Sequence, residues 1–502
     1  MKVPTCADMA ALDGRSRTEF GVPAMILMEN ASRSAAEIIL RETRFGRTGE
    51  GSAVVAVGKG NNGGDALVAA RHLWASGRRN IRVLLLQAGL GELPRMQFEI
   101  LRRWGIPSLL WEESPGEAAA LLDKASLVVD GLYGIGLRGS LEGASAGLVE
   151  RINASPGEVV CLDLPSGLGS GYRMGMPAVR ADLTITFELP KLCLYLPAGR
   201  LLAGRIVVAP AGFPPAAVAE VPAEASLVGE ADLAGLLPAP SPGDYKNTRG
   251  HVAVFAGARG TTGAASLAAE AALRSGAGLV SLFTDPDLLP VLAAGAGGVM
   301  VKPLPEGPED RDGGRFSAFL AGPGWGVTGE RLSRLEALLR SGLPGVLDAD
   351  GLTLLNLLRR TARPDLRGRI LTPHPGEFAA LSGRSREEVL SDPLPIMDGI
   401  CRELGCVLAL KGHVTIVREP DGRTRIFDGM NPALGTGGSG DVLAGLMAGL
   451  LGRGLPPGDA AAAAVILHGR AGRMAREEGG FFAAQDLMPH ISREAWKDAP
   501  GK

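Results

Sequence analysis

A chain of 502 residues, 46% hydrophobic and 21% charged, has material for two or three domains, each with a sizeable core. Its 52 basic and 54 acidic residues leave a formal net charge of −2, so nothing in the composition marks a nucleic-acid or anionic-membrane binder. Small-molecule partners are the expectation.

The opening residues, Met1 to Arg17, lack an apolar run behind a basic head, and no stretch of about 18 apolar residues follows, so neither a signal peptide nor a membrane span is expected. Five cysteines (Cys6, Cys161, Cys193, Cys401, Cys406), odd in number and without a Cys-x-x-Cys pair, fit a reducing, cytoplasmic setting.

In chain order, strands are predicted at Ser52–Val57, Ile81–Leu86, Leu127–Val129, Val159–Leu162 and Leu183–Phe187, separated by alanine- and leucine-rich helical segments. That alternation implies a mostly parallel sheet covered by helices. After the first strand, GKGNNGGDALVAARHL satisfies G-x-G-x-x-G through Gly58, Gly60 and Gly63, and a helix is expected to begin at Asp65. No acidic residue closes the next strand to hold a ribose, and the loop carries Asn61, Asn62 and Asp65, so an ordinary dehydrogenase is disfavoured. A tight turn with an asparagine in strained backbone and a capping aspartate is the plain structural alternative.

Asp130 and Asp163 each end a predicted strand, on the sheet edge where open α/β proteins bind ligands. The amide oxygen of Asn62, the carboxylate of Asp130 and the hydroxyl of Ser166 form an oxygen-rich set suited to an alkali or alkaline-earth cation rather than to zinc. A composition shift to Ala, Pro and Glu at 214–232, followed by PAPSPGD at 238–244, marks a domain boundary, read as domains at 1–215 and 231–502 with a linker at 216–230.

Beyond it, strands are predicted at His251–Ala256, Gly278–Phe283, Ala318–Gly322, Gly345–Leu347, Arg369–Leu371 and Val407–Lys411. A hairpin follows, Val414–Val417 and Thr424–Phe427 about an Asp421-Gly422 turn. The densest signal is NPALGTGGSGDVLAGLMAGLLGRG, where a glycine run (Gly435–Gly440) and Asp441 open a long helix. Such a run stacks N–H donors against anionic oxygens, and an aspartate set among them is costly unless it works on the ligand, as a base at a hydroxyl would. A helix-dipole role alone would be worth about 0.3–1 kcal/mol.

CADMAALDGRSRTEFGVPAMILMENASRSAAEII, NNGGDALVAARHL, DGLYGIGLRG, DLPSGL and TFELPKL together resemble the NAD(P)H-hydrate epimerase family over residues 5–213. The resemblance implies a Rossmann-like doubly wound sheet and a potassium ion on Asn62, Asp130 and Ser166. It also implies a substrate site lined by Asn61, Asn62, Gly63, Gly64, Asp65, by Gly134, Ile135, Gly136, Leu137, Arg138, Gly139, Ser140, and by Asp163. The chain departs from the family's wording with Ala66 where Gly is common, Gly131 and Ile135 where Ala and Thr are common, and GSGYRMG at 169–175. Asp163 is the candidate acid/base, since inverting a hydroxyl-bearing carbon beside a ring nitrogen moves a proton reversibly.

YKNTRGHVAVFAG, TTGAASLAAEAALRSGAGLV, LAGPGWG, VLDADGL, ILTPHPGEF, LALKGHVTIV and GTGGSGDVLAGL are similar to the ADP-dependent NAD(P)H-hydrate dehydratase family over 226–495, a ribokinase-like α/β sandwich. There the resemblance implies that Ala264, Gly324, His374 and Asp441 contact the hydrated nicotinamide nucleotide. Lys411, Gly412, His413, Val414, Thr415 and Gly440 would contact ADP, with magnesium accompanying it, and Asp441 would be catalytic. The resulting expectation is a bifunctional epimerase and dehydratase acting on NADHX and NADPHX, a homo-oligomer with no nucleic-acid or membrane partner. Two alternatives stand beside it: a kinase of a small hydroxylated metabolite, and an N-terminal half that only binds nucleotide or protein.

Overall fold

The computed structural model describes residues 1–237, 239, 241–304 and 316–497; positions 238 and 240 of the expected boundary stretch lie outside them. The chain divides into two compact units, residues 2–225 and, together with Met1, residues 226–502.

The first unit is built on β1 (Ala53–Val57), β2 (Ile81–Leu85), β3 (Ser108–Leu110), β4 (Leu127–Gly131), β5 (Glu158–Leu162), β6 (Leu183–Phe187) and β7 (Arg205–Ala209). All pairings are parallel, in the order β3-β2-β1-β4-β5-β6-β7, the doubly wound arrangement in which β1 and β4 flank the crevice. Both faces are covered: Val55 and Val57 pack into one core and Val54 and Ala56 into the other, as the two-residue strand period requires.

The helix after β1 spans Asn61–Ala75, four residues earlier than the expected start at Asp65. Gly60 caps it, and the N–H groups of Gly63 and Gly64 bond the Gly60 carbonyl at 2.9 and 3.2 Å. Asn-Asn-Gly-Gly has poor helix propensity, but tertiary packing overrides it, because Asn62, Gly63 and Gly64 are all buried. The stretch 216–230, expected as a linker, is largely structured: Pro215–Glu220 is a helix whose Ala217, with Val221, packs on Met9 and Leu12. Among the described residues five short strands escaped the sequence reading: Lys2–Val3, β3, β7 and, in the second unit, β8 (Ala225–Leu227) and Met300–Pro303. β3 and β7 are sheet edges, where burial is partial and patterning weak.

The second unit contains β8, β9 (His251–Phe255), β10 (Leu279–Thr284), β11 (Met300–Pro303), β12 (Ala318–Ala321), β13 (Gly345–Leu347), β14 (Arg369–Leu371), β15 (Val407–Leu410), β16 (Val414–Arg418) and β17 (Thr424–Asp428). Along the sheet the order is β8-β17-β16-β15-β14-β13-β12-β9-β10-β11, parallel from β15 to β11 and antiparallel at β15/β16 and β16/β17. The predicted hairpin is thus β16 and β17. Helix Ser439–Gly452 is buried along nearly its whole length in the core of this unit.

Two of the departures from the epimerase wording explain each other. A Cβ on Gly131, the last residue of β4, would sit 2.3 Å from the Ala66 Cβ, so a single methyl fits between strand and helix, here on residue 66 rather than 131. Gly131→Ala is expected to destabilise the first unit by about 1–3 kcal/mol, and Ala66→Gly in the same chain to restore most of it. Urea unfolding of the two single variants and the double variant reads this coupling; additive effects would refute the shared-methyl account.

Candidate functional sites

The loops leaving β1, β4, β5 and β6 of the first unit surround a cavity of about 650 Å³. Its wall includes Asn61, Asn62, Asp65, Gly134 to Arg138, Asp163 and Lys191, with Asp13 and Arg17 from helix Cys6–Thr18. Among the predicted positions, Gly63, Gly64, Gly139 and Ser140 are not part of the wall: the first two are buried in the helix turn and the last two face solvent.

Asp130 and Ser166 lie beneath that wall, both fully buried. The Ser166 hydroxyl donates to Asp130 Oδ1 at 2.6 Å and its N–H to Oδ2 at 2.8 Å, while Leu132 N–H adds 3.1 Å and Tyr133 N–H bonds Ser166 Oγ at 2.8 Å. Burial raises the Asp130 carboxyl above its ordinary range, against the lowering by these hydrogen bonds. Asn62 is buried too, and neither its amide oxygen nor its amide nitrogen has a hydrogen-bond partner among the described residues. An orphaned buried amide beside buried carboxylate and hydroxyl oxygens fits a hard cation.

Asp163 follows β5 in the left-handed region, φ 64°, a conformation a non-glycine residue adopts only when its surroundings impose it. Its Oδ1 meets Lys191 Nζ at 2.6 Å and its Oδ2 accepts from Ile135 N–H at 3.3 Å. Lys191, 1% exposed, is the functional candidate the sequence reading passed over, although TFELPKL contains it. Asp65 accepts from Ser32 Oγ at 3.1 Å, and burial, with the Asp163 charge, pushes its carboxyl well up. All five cysteines are free and buried; Cys6 and Cys193 stand 3.7 Å apart.

In the second unit the predicted residues follow the carboxyl ends of β9, β12, β14 and β15 and the glycine run. Gly438, φ 90°, caps helix Ser439–Gly452, so Asp441 is its third residue, among the free N–H groups. Burial and the charges of Asp348 and Asp350 raise the Asp441 carboxyl to about 6, with Lys411 opposing them. Lys411 itself pairs with Asp348 Oδ1 at 2.5 Å, and Thr372 Oγ1 donates to the same oxygen at 2.8 Å. Burial pulls the Lys411 pKa down, but the charges of Asp348, Glu377 and Asp441 outweigh it and leave it raised. Asp348 and Glu377 were not singled out in the sequence, although Asp348 ends a strand just as Asp130 does.

His374 caps helix Pro375–Ser382, its Nδ1 accepting from the N–H groups of Gly376 and Glu377 at 3.0 and 3.1 Å, which leaves its proton on Nε2. Ala264 lies in the first turn of helix Thr262–Arg274, and Gly324 is joined to that helix start by Thr261 Oγ1, which donates to the Gly324 carbonyl at 2.7 Å. Gly440 is close to Lys411, whose Nζ would lie 3.4 Å from a Cβ there. Gly412 is exposed and His413 half-buried, whereas Val414 and Thr415 begin β16 with their side chains buried, so only their backbone could meet a nucleotide.

Comparison with known proteins gives two family matches, a YjeF-related protein N-terminus over residues 24–193 and an NAD(P)H-hydrate dehydratase over 252–493. The bifunctional NAD(P)H-hydrate repair enzyme Nnr of Moorella thermoacetica is 37% identical over 516 residues, covering 98% of this chain and 97% of that protein. Nnr of Thermofilum pendens is 35% identical over 497 residues, covering 96% and 93%. A solved ribokinase-like superfamily protein from Enterococcus faecalis V583 superposes with a TM-score of 0.50 at 25% identity, covering 55% of this chain and 98% of that one.

The raised Asp441 pKa has a consequence for stability. A carboxyl that binds its proton more tightly when folded opposes folding once ionised; the penalty is absent below the ordinary value of 3.8 and complete above about 6. Asp441→Asn is therefore expected to stabilise the second unit at about pH 8 and to lose that advantage as the pH falls through about 6 toward 3.8. Urea unfolding at the two ends of this range checks it, and an advantage independent of pH would contradict the assignment.

Proposed function

The chain belongs to the bifunctional NAD(P)H-hydrate repair enzymes, and we propose that Asp163 carries its epimerase chemistry and Asp441 its dehydratase chemistry. The enzyme interconverts the R and S hydrates of NAD(P)H and dehydrates the S form at the expense of ADP.

In the second unit Asp441 takes the proton of the substrate hydroxyl as that oxygen attacks the terminal phosphoryl group of ADP, releasing AMP. The ester so formed loses phosphate, and the neighbouring carbon loses a proton, which restores the ring double bond. The observation that carries this reading is a carboxyl raised to about 6 inside a glycine-rich helix terminus: ionised near neutrality, and a strong enough base to accept the proton in transit. The N–H groups of the Gly435–Gly440 run oppose the charge that spreads over the moving phosphoryl oxygens. Nε2–H of His374 is not used in the cap hydrogen bonds, though Glu377 Oε1 stands 3.6 Å from it, and it suits a substrate oxygen; Ala264 and Gly324 would contact the same nucleotide. Lys411, the backbone of 412–415 and Gly440 hold the nucleotide, with which magnesium enters.

In the first unit Asp163 accepts the hydroxyl proton as the bond from that carbon to the ring nitrogen opens, the electron pair passing to nitrogen. Closure on the opposite face returns the proton and inverts the centre. Asn61, Asp65 and the 134–138 turn bind the substrate. Asn62, Asp130 and Ser166 would hold a potassium ion, which supplies positive charge next to the substrate site; the orphaned Asn62 amide supports this. The free, buried cysteines support a cytoplasmic setting, and among the described residues no helix is long and apolar enough to cross a membrane.

The test is recovery of dihydropyridine absorbance from a mixture of both hydrate epimers with ADP, magnesium and potassium. The intact chain is expected to recover all of it, Asp441→Ala none, and Asp163→Ala rapidly only the S share. No recovery by the intact chain would sink the reading, and a stable phosphorylated product would turn it toward a metabolite kinase. Exchanging potassium for lithium is expected to slow epimerisation and leave dehydration of the S epimer unchanged; equal epimerisation in both salts would remove the cation assignment.

A further inference from the structure

Lys191 has every donor of its ammonium group engaged: Asp163 Oδ1 at 2.6 Å, Thr186 Oγ1 at 2.9 Å and the Phe187 carbonyl at 2.9 Å. It is 1% exposed, a rare condition for a lysine. Fold stability accounts for it poorly, because a buried ion pair commonly contributes no more than apolar side chains of the same volume. The pair is instead where chemistry is expected: both residues reach the wall of the 650 Å³ cavity, and Asp163 stands there in left-handed backbone at φ 64°.

We infer that Lys191 is a positioning residue of the epimerase centre, gripping one oxygen of Asp163 from the sheet side so that the other is presented to the substrate hydroxyl. This rests on the reading of Asp163 as the proton-transfer group. The geometry supports it through the division of labour between the two carboxylate oxygens. Oδ1 is occupied by the ammonium, whereas Oδ2 is turned to the Gly134–Ile135 turn, where its one hydrogen bond among the described residues is a long 3.3 Å bond from Ile135 N–H. Gly134 makes that approach possible, because a Cβ there would lie 2.9 Å from Oδ2. The grip is itself rigid, since two of its three acceptors belong to the buried strand β6. A second carboxyl of the wall, the half-buried Asp65, is held differently, by the Ser32 hydroxyl. A lysine on one aspartate and a serine on the other makes the two carboxyls unequal, and only Asp163 is held by a fixed cation.

The experiment measures epimerisation by the full chain with Lys191→Ala and, separately, Thr186→Val, which removes one acceptor of the ammonium and keeps both charges. Lys191→Ala is expected to lose about 100-fold in kcat with KM within about threefold of the intact chain, and added ethylammonium to recover part of the rate saturably. Thr186→Val is expected to lose about three- to tenfold in kcat alone. Dehydration of pure S epimer by the same preparations reports that the rest of the chain is intact. Unaltered kcat in either variant, or a Lys191→Ala loss carried by KM and indifferent to amine, would overturn the inference; should Lys191→Ala fail to fold, Thr186→Val decides. Absence of epimerisation in the intact chain would instead overturn the underlying reading, so the two failures are distinguishable.

Discussion

Parallel strands covered by helices on both faces leave one place where polar backbone and side chains can meet a ligand, the loops at the carboxyl edge of the sheet. Both units obey that constraint. In the first, Asp130, Asp163 and the Asn62 turn stand at the ends of β4, β5 and β1. In the second, Asp348, His374 and Lys411 follow β13, β14 and β15. The sheets differ in order and connection, so the likeness reflects the physics of the architecture and not a shared mechanism.

The same ingredients, a buried aspartate and a lysine, are arranged differently in the two sites. Lys191 sits directly on Asp163. Lys411 sits on Asp348, and among the described residues no cation pairs directly with Asp441, so burial and two neighbouring carboxylates dominate and lift that carboxyl to about 6. In the proposed reading, one arrangement fixes a carboxylate in place and the other raises the pKa of a base. A group tuned in this way is held at a cost to folding, which is why its neutral replacement is expected to be more stable and inactive.

What the sequence disclosed followed the strength of each local signal. The placement of Asp130 and Asp163 at strand ends and of Asp441 at a helix terminus was legible because an acidic residue ending an apolar run, or following a glycine run, marks such an edge. Lys191 was not, since a lysine after a proline reads as surface, and its acceptors come from β6 and from a residue 28 positions earlier. The helix at Asn61 was placed late because Asn and Gly are weak helix formers and the packing that overrides them is not local. Ala217 and Val221 are too few to set up a helical period, so a packed helix read as linker.

Joining the two activities in one chain follows from their stereochemistry. Hydration yields both epimers, and a base fixed at one position, as Asp441 would be by its helix terminus in the proposed reading, meets the hydroxyl on one face of the ring only. A dehydratase built on that base therefore leaves the opposite epimer behind unless a second site inverts it. Inversion needs a different surrounding, one that takes and returns a proton without a phosphoryl donor beside it. In the proposed reading the cavity around Asp163 supplies that, and its products become substrates for the other unit at whatever rate the two epimers interconvert. The pair of sites then clears both hydrates with the commitment of ADP confined to the step that cannot be reversed.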